Sequence, residues 1–88
     1  MVQTEILRQE FSQRLAQALK EAGYPEHGRG LRLAGALGVT SKAVSKWLTA
    51  ESLPRPAMME QIARLLRVDP LWLQHGVKAG ADSNVTGY

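Results

Sequence analysis

Apolar residues near the start of the chain recur at intervals of three and four. Leu7, Phe11, Leu15, Ala18, Leu19 and Ala22 share one side of a helix that the pattern predicts from Thr4 to Ala22. Glu5, Arg8, Gln13, Arg14, Gln17 and Glu21 fall largely on the other side. Gly23 suits the left-handed position after a helix, and Pro25 prevents the helix from resuming. The stretch from Gly23 to Gly30 reads as a loop. A short second helix follows from Leu31 to Leu37, with Leu33, Ala34 and Leu37 inward, and Gly38 ends it. Thr40 is placed to cap a third helix, Ser41 to Thr49. In that helix Ala43, Val44, Trp47 and Leu48 can face inward while Ser41, Lys42, Ser45 and Lys46 face out.

Pro54 and Pro56 bracket an extended turn, and Pro56 suits the first position of a fourth helix. Met59, Ile62, Ala63 and Leu66 form its apolar stripe. Asp69-Pro70 repeats the cap-then-proline pattern for a fifth helix ending near Gly76. From Val77 the chain turns to small and polar residues without periodicity, so residues 77–88 are expected to be a flexible tail or linker after a domain of residues 1–76. No stretch alternates as a strand would. The expected fold class is all-α, a bundle of five helices.

Composition narrows the possible chemistry. Eighty-eight residues suffice for one domain with one small core. With no cysteine there is no disulfide framework and no thiolate metal site. His27 and His75 are far apart and lack a third ligand, so neither a metal nor another cofactor is expected. No apolar run approaches the ~20 residues of a membrane span, and the N-terminus does not have the pattern of a signal peptide. A soluble cytoplasmic domain with no membrane partner is expected. Gly28 and Gly30 are not followed by the Gly-Lys-Ser/Thr of a phosphate loop. No histidine is placed to activate a serine or a carboxylate, so an enzyme is not expected.

Charge adds a location. Arg29, Arg32, Lys42, Lys46 and Arg55 face a single acid, Glu51, across the middle third, a balance of +4 in a chain whose net charge is +3. Such segregation favours a polyanionic partner over a generally solvated surface. The second and third helices sharpen the expectation. Two short helices joined by a glycine-containing turn can place the outer residues of the second in the major groove of DNA. Ala34 and Ala43 are small enough for close approach, and Gly38 supplies the turn.

The run Leu33-Ala34, Leu37-Gly38-Val39-Thr40, Ala43-Val44-Ser45-Lys46-Trp47, the proline-marked turn, and Val68 to Gly76 resembles the phage Cro and repressor type of helix-turn-helix domain (the lambda repressor-like family). The resemblance covers the chain from Phe11 to Gly76. It rests on the order and spacing of these pieces, none of which is specific alone. It implies a five-helix DNA-binding fold in which Thr40, Ser41, Lys42, Ser45 and Lys46 contact bases. Lysine can meet the O6 and N7 acceptors of guanine, which would place guanine in the half-site; the alternative is that both lysines touch phosphates.

Phosphate contacts implied by the resemblance are Thr49, Arg55 and the opening of the second helix, at Arg29, Gly30 and Leu31. There the chain departs from the family, with Gly30 where a glutamine is common and Arg29 as a candidate substitute. It also has Leu48 where many members carry an acid, with Leu19 at the approximate partner position. Trp47 reads as core rather than a stacking platform. Leu71 is often polar in the family and, with Trp72, is a candidate dimer contact. The expected function is sequence-specific transcription regulation through double-stranded DNA, as a homodimer on a palindromic operator. The alternatives are an antitoxin-like regulator with a protein partner on the C-terminal tail, or the N-terminal DNA-binding domain of a longer repressor.

Overall fold

The computed structural model describes residues 2–77. Residues 78–88, most of the expected tail, lie outside them, as does the suggested partner segment there. Five helices follow in order: α1 Val2–Glu21, α2 Arg29–Leu37, α3 Ser41–Leu48, α4 Pro56–Leu66 and α5 Pro70–His75. No strand occurs among the described residues. The all-helical class and the helix count agree with the periodicity.

The core is entirely apolar. Phe11, Leu15 and Leu19 from α1 meet Leu33 from α2, Val44 and Trp47 from α3, Ile62 from α4 and Leu73 from α5, all buried. Each large side chain removed from water contributes about 1.5–3 kcal/mol. No helix of six to eleven residues is stable alone in water, so this shared core holds the four short helices in place. α2 packs against α3, and α1 bridges α3 and α5. Trp47 is core, as its position on the inner stripe predicts.

The start of α1 differs from expectation. Leu7 is 46% exposed and Ala22 is exposed, while Arg8 is half-buried. Residues 8, 11, 15 and 19 share a face, so continuing the buried stripe by one turn leads to Arg8 rather than Leu7. Arginine fits there because its stem can pack while its head finds acceptors. Arg14 behaves similarly: its Nε and Nη2 each donate at 2.9 Å, to the carbonyls of Leu73 and Gln74. It thereby caps the last turn of α5, where carbonyls lack helical partners. Partial burial lowers its pKa below the usual arginine value, and the nearby Glu10 opposes that shift; the group remains charged.

Helix starts follow the predicted chemistry. Thr40 Oγ1 accepts from Ala43 N at 3.1 Å at the head of α3. Asp69 Oδ1 accepts from Leu71 N at 3.0 Å before Pro70 opens α5. α2 begins at Arg29, two residues earlier than the pattern suggests. Gly28 takes φ 87, a left-handed reversal that lets the helix start at once. Gly30 therefore lies inside the helix, where a methyl group would stand 3.8 Å from Val44 and 3.9 Å from Leu48. These are ordinary contact distances, so α2 packs against α3 at this point without the crossing requiring glycine.

Candidate nucleic-acid interface

The apolar face of α3 fixes the orientation of its other face. With Val44 and Trp47 in the core and Ala43 and Leu48 half-buried, Ser41, Lys42, Ser45 and Lys46 are all exposed. Lys42 and Lys46 are one turn apart on the same side. Among the described residues neither has an acid paired with it, and both side chains are exposed to solvent. Thr40 is exposed at the head of the helix, its oxygen already serving as the cap.

Beside α3 lies the opening of α2. The first helical bond of α2 is donated by Arg32 to the Gly28 carbonyl, at 3.1 Å. The N–H groups of Arg29, Gly30 and Leu31 precede it, and no side chain caps them. Together with the positive end of the helix dipole, they form a small anion-favouring surface. Leu31 is itself 71% exposed. Arg29 is half-buried and lines a shallow pocket with Lys20, Tyr24 and Glu26. Arg32, by contrast, lies over the Tyr24 ring at 4.8 Å, tying the 22–28 loop to α2.

On the far side of α3 the chain turns before α4. Arg55 is exposed at the N-cap of α4, between the buried Pro54 and the exposed Pro56, with no bond from its side chain within the described residues. Thr49 is differently placed. Its Oγ1 lies 2.9 Å from the Ser45 carbonyl and 2.8 Å from a Glu51 carboxylate oxygen. The hydroxyl has one proton, which these acceptors take, and the Glu51 charge would repel a phosphate.

Arg8 reaches the same turn from α1, donating from Nε to the Ala50 carbonyl at 3.0 Å across 42 positions of sequence. Charge segregation along the chain missed it, because Arg8 lies outside the basic middle third. The available sign was its place one turn beyond Phe11 on the buried face of α1. On α5, Leu71 is 51% exposed, whereas Trp72 is packed partly against the core. The two candidate dimer residues are therefore not equivalent, and Leu71 presents more free apolar surface.

The arrangement juxtaposes a polar, cationic helix face, three open backbone N–H groups and a free arginine. No group of three His, Cys, Asp or Glu residues able to hold a metal occurs among the described residues. No helix there is long and apolar enough to cross a membrane.

A family profile described as helix-turn-helix matches residues 28–73, from the reversal before α2 into α5. The 26 kDa repressor protein of Escherichia phage HK022 is 51% identical over 69 residues, covering 78% of this chain and 29% of that protein. The chain thus spans under a third of this relative's length. No solved structure matches significantly.

Proposed function

The chain belongs to the helix-turn-helix family and carries a phage repressor-like domain; from that premise we propose that it regulates transcription by binding a palindromic duplex operator as a homodimer. α3 enters the major groove, where Ser41, Lys42, Ser45 and Lys46, with Thr40 at the helix head, meet base edges. The N–H groups of Arg29, Gly30 and Leu31 cradle a phosphate on one side, with the Arg29 side chain beside them, and Arg55 meets the backbone on the other. Thr49 is not carried into this set, because its hydroxyl is committed to Ser45 and Glu51. Leu71 contributes to pairing of the two copies, whose half-sites lie about 34 Å apart, one helical turn of DNA. Occupancy then excludes or recruits polymerase at the promoter, in the cytoplasm where the DNA lies.

The observation that carries this reading is the outer face of α3, with two unpaired lysines one turn apart over a tightly packed apolar inner face. A second reading keeps the same DNA site within a longer repressor, as the length of the phage relative allows. The antitoxin-like reading, with a protein partner on the tail, depends on residues beyond Val77.

Comparison of Lys46→Ala with Arg55→Ala tests the division of roles. Lys46→Ala should relax discrimination between operator and altered duplex by about tenfold, the scale of one good base contact. Arg55→Ala should weaken all duplexes alike and lower the salt slope by about one per copy bound. Equal loss of affinity on every duplex for both variants would contradict the assignment of Lys46 to a base.

A further inference from the structure

We propose that Arg8 is a positioning residue for the DNA interface: through the Ala50 carbonyl it holds the turn after α3 in the place from which Arg55 reaches the duplex backbone. The inference rests on the DNA-binding reading above and extends it to α1, outside the residues that the helix-turn-helix profile matches.

The turn has few local supports. Ala50 has φ 65, in the left-handed region that disfavours any residue with a Cβ. The backbone of its following residues is tied to the Lys46 carbonyl, which accepts from Glu51 N at 2.8 Å and from Ser52 N at 3.3 Å, and the Glu51 side chain accepts from Thr49 Oγ1. Arg8 adds a bond from a different part of the fold, at 3.0 Å and partly shielded from water. Its own anchor is firm, since Phe11 and Leu15 on the same face of α1 are fully buried.

Position is relayed from this bond to Arg55. Beyond Ser52 only Leu53 separates the turn from buried Pro54, and proline fixes its own φ and restricts the residue before it. Pro56 then starts α4 immediately after Arg55. Little freedom remains between Ala50 and Arg55, so a shift at the Ala50 peptide moves Arg55. Removing Arg8 should therefore matter to DNA chiefly while Arg55 is present.

A double-mutant cycle tests this. The probe is a duplex enriched from a random-sequence library by the native chain, with binding followed by anisotropy where circular dichroism shows each variant folded. Arg8→Ala should weaken binding by about tenfold in the native background and by no more than about twofold in the Arg55→Ala background, a coupling of the size seen for residues acting as one unit. Arg8→Lys keeps the charge without a donor at the Nε position, and should lose most of the same affinity; it also serves if Arg8→Ala does not fold. Equal losses in both backgrounds, or full affinity for Arg8→Lys, would overturn the proposal and leave Arg8 as a direct or long-range charge contact. Failure of the native chain to enrich any duplex would instead remove the DNA-binding reading, and this inference with it.

Discussion

At the turn leading into α3, Gly38 takes φ 75, and both it and Val39 donate to the Ala34 carbonyl. At the turn leading out, Ala50 takes φ 65 while Ala50 donates to Trp47 and Glu51 to Lys46. Both are left-handed helix ends closed by a bond back over five residues. They differ in what stabilises them. Glycine adopts its conformation without a Cβ penalty, and a methyl group built at Gly38 meets nothing within 4 Å, so that turn is encoded locally. Ala50 bears a penalty of about 1–2 kcal/mol and is met by Arg8 from another helix. One end of α3 is thus set by its own residues, and the other by tertiary contact.

Substitutions can break or sharpen this contrast. The largest effect should come from Gly38→Val, which places a β-branched residue in the left-handed region; a loss of about 2 kcal/mol is expected. Because the site is open, that loss is conformational, and urea unfolding should show a lower midpoint with an unchanged slope. A smaller loss, about 1 kcal/mol, is expected for Thr40→Ala, which removes the cap accepting from Ala43 N. Thermal unfolding measures it, and an unchanged melting temperature would mean that solvent replaces the cap without cost. The smallest effect has the opposite sign. Ala50→Gly relieves the left-handed penalty but frees the unfolded chain, for a net gain of about 0.5 kcal/mol. A loss at Ala50→Gly would show that the outbound turn is not strained.

The same contrast explains how much of the molecule was legible in its sequence. Helix order, the core stripe of α4, the Thr40 and Asp69 caps and the outer face of α3 all follow from spacing and local chemistry, and all appear in the fold. Arg8 and Arg14 did not, because a charged residue on an amphipathic helix reads as solvent-facing, and their acceptors lie 42 and 59 or 60 positions away. The early start of α2 was hidden for a related reason. Gly28 and Gly30 both read as loop, although one reverses the chain and the other lies in the first turn of α2. The bond from Thr49 to Glu51 depends on the turn that brings the carboxylate back over two residues, which helical spacing does not show.

Base reading by the exposed face of α3 and simple attraction of polyanions differ in what they predict for duplexes of equal charge. Fluorescence anisotropy with the duplex directly upstream of this chain's own gene, competed against a shuffled duplex of the same composition at two salt concentrations, separates them most directly. Base reading predicts a preference for the native duplex of about a hundredfold or more that persists as salt weakens both. Equal affinity for both duplexes, falling together with salt, would contradict sequence reading at that site.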